Sequence, residues 1–184
     1  MTAALMEAIA GPAGAATSPW AVRTARPDEY DRVAEVTYLG FGHGEPGATQ
    51  PDAERLALLR GAAARAAAGD LLVAVDDSGA ILGTASLLRA DSALVRQSRD
   101  GEVELRLLAV LPEARRRGIG EALMREALGR AHAWGAPALV LDTGPQNERS
   151  QRLYHRLGFE RLPERETIPA SRGGHLAVFR HPLG

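Results

Sequence analysis

The chain has 184 residues, 45% of them apolar, and a formal net charge of −1; these suit one globular domain with a packed core and exclude a global field toward nucleic acid or membrane. It contains no cysteine, which excludes disulfides, thiolate metal sites and a cysteine nucleophile. It also contains no lysine, so no side-chain amine can serve as a base or Schiff-base former, because arginine stays protonated.

Met1 to Ser18 is rich in Ala and Gly, but no Arg precedes Ala13-Gly14-Ala15, and Glu7 and Pro12 break any hydrophobic run. A signal peptide is therefore not expected. The segment reads as an N-terminal tail over 1–18 before a single domain over 19–184. With no apolar run long enough for a spanning helix, the expectation is a cytoplasmic protein that does not engage a membrane.

Trp20–Arg26 reads as a first strand, and Pro27-Asp28 opens a helix to about Leu39 with Tyr30, Val33, Ala34 and Thr37 at helical spacing. The glycine-rich stretch Gly40–Gln50 is a loop, and Pro51-Asp52 starts one further helix that ends before Gly69. Leu71–Val75 and Ile81–Leu88 form a hairpin around Asp76-Asp77-Ser78-Gly79. Ala90–Gly101 is polar loop, and Val103–Val110 is the long central strand.

A helix follows from Gly118 to Trp134, with Ile119, Leu123, Ala127 and Ala131 stepping by four, and Gly135 and Pro137 stop it. Ala138–Asp142 is a strand, Ser150–Leu157 a helix ended by Gly158, and Phe159–Pro163 and His175–Arg180 the last strands. The crossover between Val103–Val110 and Ala138–Asp142 makes those strands parallel neighbours; the hairpin makes the rest antiparallel. The expected fold is α/β: a single mixed, mostly antiparallel sheet flanked by helices.

The junction Val110-Leu-Pro-Glu-Ala-Arg115-Arg-Arg-Gly118-Ile-Gly120 carries the strongest chemical signal. A helix front has free N–H groups and the positive end of a dipole, and glycine lets an anion come close to the backbone. Backbone groups from Arg117 to Ala122 could meet a diphosphate, with Arg115, Arg116 and Arg117 adding charge. A dinucleotide fingerprint would need a third glycine where Leu123 stands, and no Gly-Lys-Ser/Thr exists for a P-loop. The short arginine run lacks interleaved aromatics, which argues against nucleic acid.

Arg115-x-x-Gly118-x-Gly120 after Val110-x-Pro112, followed by Asn147-x-x-Ser150-x-x-Leu153-Tyr154-x-x-Leu157-Gly158-Phe159, resembles the two signature blocks of the GNAT N-acetyltransferase superfamily. The resemblance spans Glu104 to Phe159. It implies acetyl-CoA as co-substrate, no metal, and a central parallel strand pair that splays apart beside a bulge. The cofactor-binding residues it implies are Leu108 and Val110 (backbone pairing with the pantetheine arm), Arg115, Arg116, Arg117, Gly118, Ile119, Gly120, Glu121 and Ala122 (the phosphate cradle), and Asn147, Ser150 and Tyr154. It implies Tyr154 as the general acid toward the departing thiolate, and Glu104 as the general base in several members.

Alternatives stay open for each of these residues. Glu104 could pair internally with Arg106, since alternation puts Glu104, Arg106 and Leu108 on one face. Tyr154 could be a core aromatic, and Ser150 could be the N-cap of its helix. His43, His132, His155, His175 and His181 show no metal spacing. The loops Leu39–Gln50 and Pro163–Gly174 would wall the acceptor cleft, with His43, Glu45, Glu164 and Glu166 as candidates. The implied activity is direct acetyl transfer to a small-molecule or peptide amine in a ternary complex, by a chain that could act as a homodimer. The rival is a non-catalytic acyl-CoA-binding or regulatory module on the same scaffold.

Overall fold

The computed structural model describes residues 19–184, so the tail expected over 1–18 lies outside the described residues. Its strands are β1 (Trp20–Thr24), β2 (Gly69–Asp76), β3 (Ile81–Leu88), β4 (Val103–Val110), β5 (Ala138–Thr143), β6 (Glu160–Arg161) and β7 (Ala177–Pro182). Its helices are α1 (Tyr30–Gly40), α2 (Ala53–Arg60), α3 (Ala62–Ala67), α4 (Ile119–Ala133) and α5 (Glu148–Arg156). The strands form one sheet in the order β1-β2-β3-β4-β5-β7-β6, and among the described residues only β4 and β5 pair in parallel. This is the mixed, mostly antiparallel α/β sheet that the sequence predicts.

α4 buries Ile119, Leu123, Met124, Ala127 and Ala131, a stripe at helical period. Ile119 and Leu123 press on Gly83 of β3. It ends where Gly135 takes a φ of +70°, with the Ala136 N–H reaching back to the Ala131 carbonyl. α1 ends against β4: a Cβ on Gly40 would stand 2.8 Å from the Ala109 Cβ, so only glycine permits this approach.

Three expectations need correction. The single helix after Pro51 is two, α2 and α3, broken at Gly61, where ψ of +51° leaves helical geometry. The last helix starts earlier than Ser150, because Asn147 caps it by accepting the Ser150 N–H at 3.3 Å. The strand expected over Phe159–Pro163 shrinks to Glu160–Arg161, and Pro163 opens a helical turn instead.

The fourth difference shapes the site. Thr84 pairs with Ala109 while Ser86 pairs with Arg106, so one residue of β3, Ala85, faces two of β4, Leu107 and Leu108. Leu107 takes a φ of +55° at this bulge, a sterically costly conformation for leucine. Because Thr84 and Ser86 share a face, Arg106 shares its face with Ala109, and the strict alternation expected through Leu108 does not hold.

One ion cluster secures the front of α1. The Glu29 carboxylate accepts from both Arg23 guanidinium nitrogens at 2.8 and 2.6 Å and from the Arg26 N–H at 2.8 Å. The Arg23 hydrogen bonds, opposed in part by burial, lower its carboxyl from 4.5 to about 2. A lowered carboxyl stabilises the fold above its unfolded value, and that stability is lost as pH falls from 4.5 toward about 2. Glu29→Gln should therefore melt lower at neutral pH and show a flatter acid limb in that window, measured by thermal denaturation against pH.

Candidate active site

The parallel ladder between β4 and β5 is short. Val103, Glu104 and Leu105 pair with Leu139, Val140 and Leu141, and the strands then part. The bulge at Leu107 lies just past the last pair, so β4 turns from its neighbour where its pairing to β3 is also disturbed. A gap between parallel strands leaves backbone groups without sheet partners, which an extended arm can satisfy.

At the wide end of this gap stands the front of α4. Arg116 and Gly118 have φ of +63° and +79°, a left-handed path that turns successive N–H groups to one side. A leucine, arginine or other L side chain is costly there, and the chain accepts that cost at Arg116. The Ala122 N–H bonds the Gly118 carbonyl at 3.0 Å. The N–H groups ahead of it, on Ile119, Gly120 and Glu121, therefore precede the first intrahelical bond. A Cβ on Gly120 would meet only Val110 Cγ2, at 3.9 Å, so the glycine opens onto free space.

One groove of about 1060 Å³ joins these parts. Of the cofactor-binding residues named from the sequence, it is lined by Leu108, Val110, Arg115, Arg116, Gly118, Ile119, Gly120, Glu121, Asn147 and Ser150. Arg117, Ala122, Tyr154 and Glu104 are not on its wall. The Ser78 hydroxyl, then the Ala80 and Ser78 backbone N–H groups and, least of all, Arg117 lower the pKa of Asp76 in the β2–β3 turn. Arg115 bridges two elements, donating to the Gly40 carbonyl at 3.1 Å and the Val110 carbonyl at 3.4 Å. Glu121 is tied to Arg125 of α4 and Arg156 of α5, which draws α5 against the cradle.

Tyr154 is 5% exposed, its ring packed on Phe159 and Phe179 at centroid distances of 6.0 and 5.3 Å. Burial pushes its phenol up to about 12, against the pull of the neighbouring Ser150 and Thr143 hydroxyls. The phenol therefore stays protonated through any ordinary working pH and keeps a hydrogen to donate.

Glu104 is fully buried. Its Oε2 accepts from the backbone N–H groups of Arg96, Gln97 and Ser98 at 2.7, 2.8 and 3.3 Å, pinning the β3–β4 loop. Its Oε1 has no hydrogen-bond partner and stands 3.7 Å from Arg106 Nε. Burial raises its pKa, and the backbone N–H groups and Arg106 only partly offset this.

Of the acceptor-side candidates, His43 and Glu45 line the groove together with Phe41 and Arg172. Glu166 is held by both nitrogens of Arg161 at 2.6 and 2.9 Å, and Glu164 is exposed. His132, His155 and His175 are exposed. Among the described residues no group of His, Asp and Glu is placed to hold a metal ion, and no helix is long and apolar enough to cross a membrane. Sequence reasoning missed a second cavity, of about 590 Å³, on the α2–α3 side of β4, where Arg55, Arg65, Arg96 and Arg106 converge. They are spread from 55 to 106, and no local pattern could have joined them.

A sheet opened between two parallel strands, with an anion-holding helix front at its wide end, defines the acyl-CoA acyltransferase class of α/β fold. The sequence profile of the acetyltransferase (GNAT) family matches residues 31–159, and the chain belongs to that family. Uncharacterized N-acetyltransferases of Mycobacterium bovis and Mycobacterium tuberculosis are 38% identical over 82 residues, covering 45% of this chain and 47% of each relative. The match thus spans about half the length of those relatives.

Among the solved structures that share the fold, two illustrate it across 90% of this chain. The histone acetyltransferase HPA2 and related acetyltransferase of Corynebacterium glutamicum has 25% identity, 97% coverage of its own chain and a TM-score of 0.69. The phosphinothricin acetyltransferase of Sinorhizobium meliloti, in complex with acetyl-CoA, has 26% identity, 89% coverage and a TM-score of 0.66.

Proposed function

We propose that the protein is an acetyl-CoA-dependent N-acetyltransferase that moves the acetyl group to a primary amine by direct transfer in a ternary complex. The observation that carries this reading is the groove that joins the α4 front to Leu108–Val110, the end of β4 beyond its ladder with β5. Its lining fits the coenzyme: N–H donors and two arginines at one end, an apolar strand edge with open backbone groups along the other. Bound there, acetyl-CoA supplies an activated thioester. The chain's own part is to orient that arm, hold charge and move protons.

Tyr154 is the proton donor of this reading: it lies behind the groove wall, its phenol is kept protonated by burial, and it neighbours Ser150, which lines the groove. Glu104 is the proton acceptor. It sits behind Arg106 at the closed end of the gap, and its unpartnered Oε1 takes the amine's proton through water. No acyl-cysteine can form, because the chain has no cysteine.

A screen of amine classes with acetyl-CoA, read by release of free thiol, tests this. Turnover of at least one amine is expected. Coenzyme binding without turnover of any amine would favour the non-catalytic acyl-CoA-binding module instead. Glu104→Gln keeps an oxygen for the loop N–H groups but cannot take a proton. It should depress kcat/KM mainly below the amine's own pKa, with the gap from wild type closing as pH rises; parallel pH profiles would assign the base elsewhere.

A further inference from the structure

We propose that the acceptor is a small amine that also carries a carboxylate or a like oxyanion, held by Arg55 and Arg106 in the second cavity at the closed end of the β4–β5 gap. This rests on the transferase reading above and names its substrate class.

The cavity of about 590 Å³ is lined by Arg55, Arg65, Arg96 and Arg106 against two carboxylates, Asp52 and Glu54. Little of that positive charge is answered from within. Arg96 alone is fully engaged, donating to both oxygens of Asp142 at 2.8 and 2.6 Å. Asp52 is spent on the helix start, accepting the Arg55 N–H at 2.7 Å, and Glu54 is exposed.

Arg65 is 1% exposed and meets only neutral acceptors: Ser86 Oγ at 3.0 Å, Thr37 Oγ1 at 3.2 Å and the Leu59 carbonyl at 3.0 Å. Its Nε has no partner. Arg55 has no carboxylate within ion-pair distance among the described residues, and lies over the Phe41 ring at 4.8 Å. Arg106 reaches the Leu94 carbonyl at 2.5 Å, but its nearest carboxylate oxygen, on Glu104, is 3.7 Å away, beyond hydrogen-bond length.

A guanidinium drawn out of water without a counter-charge is costly, and several together cost more. Desolvation together with Arg106 and Arg96 lowers Arg55 to about 10, while desolvation and Arg55 lower Arg65 to about 10. An oxyanion entering the cavity would relieve that cost. Guanidinium forks match a carboxylate's two oxygens, which favours this class of ligand over a neutral one.

Position ties the cavity to the reaction. Arg106 is the first residue of β4 beyond the last ladder pair, Leu105 with Leu141. An arm entering from the α4 front between diverging strands runs toward that point. Phe41 lines the coenzyme groove, while Arg55, stacked on it, lines the second cavity, so one aromatic–guanidinium pair separates the two. An amine at the gap and an oxyanion on the arginines then belong to one small molecule, such as an amino acid. A protein lysine or N-terminus would put a neutral amide where the oxyanion should sit.

The test uses the full chain with common amino acids and their carboxamides as paired acceptors, compared at a pH above the amine pKa of both, because losing the carboxylate also lowers the pKa of the neighbouring amine. With acetyl-CoA and thiol detection, kcat/KM for the best free acid should exceed that for its amide by about 10–100-fold, the range of a charge-assisted pair. Arg55→Gln should raise KM for the acid by about tenfold or more while leaving the amide's KM and coenzyme affinity unchanged; Arg106→Gln should raise KM for the acid as much and, because Arg106 faces Glu104, also change the rate with the amide. Amides or simple amines used as well as acids would overturn the oxyanion site while upholding the transferase.

A second measurement does not depend on turnover: calorimetric titration of the CoA-loaded wild type with the same pairs. Acid-selective binding that is lost in Arg55→Gln supports the site even if no acetyl transfer is seen. Equal binding of acid and amide, or binding of neither, overturns it.

Discussion

Tyr154→Phe should lower kcat by about 10²–10⁴-fold, the usual weight of a positioned acid, with acetyl-CoA affinity little changed. The variant removes one oxygen and nothing else. The ring stays wedged between Phe159 and Phe179, so the aromatic packing that holds α5 to the sheet survives. The lost group is a hydroxyl beside Ser150 and Thr143 whose pKa burial raises to about 12. A group of that pKa loses its proton only near the end of the accessible range. The wild-type kcat profile should therefore show no alkaline fall from the phenol at ordinary assay pH. Burst and steady-state kinetics against pH measure both effects. Near-normal turnover in the variant would remove Tyr154 from the chemistry and leave it a core aromatic.

The second large effect is on binding. Gly120→Trp should weaken acetyl-CoA by about 100-fold or more, equivalent to the loss of two charge-assisted backbone contacts. Calorimetry reads it directly. The apo protein should melt at or slightly above the wild-type temperature, because the added Cβ meets only Val110 Cγ2 at 3.9 Å and tryptophan has a higher helix propensity than glycine. The indole has no interior to fill, so it occupies the groove in front of the Ile119–Glu121 N–H groups. Unchanged affinity in a folded variant would place the diphosphate elsewhere. Together the two variants separate holding the coenzyme from using it, which a single loss-of-activity substitution cannot do.

Much of the coenzyme side was readable in the chain itself. The strand–turn–helix from Val103 to Ala133, the glycines at its bend and the Asn147–Phe159 block are contiguous stretches, and they fold as their local patterns dictate. Finer assignments within them failed where a neighbour decided the outcome. Arg115 and Arg116 line the groove while Arg117 does not, because the left-handed turn at Arg116 re-aims the chain. Ser150 cannot cap α5, because Asn147 reaches its N–H first. Glu104 reads as an isolated acid in an apolar strand, yet its surroundings come from a loop preceding it, through the N–H groups of Arg96, Gln97 and Ser98.

The sequence by itself determined the order of elements, the crossover that sets β4 beside β5, and the chemistry of the α4 front. Each of these depends on residues a few positions apart, whose periodicity and backbone preferences are written locally. Only the tertiary structure decided how far β4 and β5 stay paired, where the bulge shifts the faces of Arg106 and Leu108, and which arginines meet in the second cavity. Those outcomes depend on register between strands and on side chains from α2, α3, a loop and β4 converging across the sheet. Register is fixed by the packing of all elements at once, so no single stretch of the chain carries it.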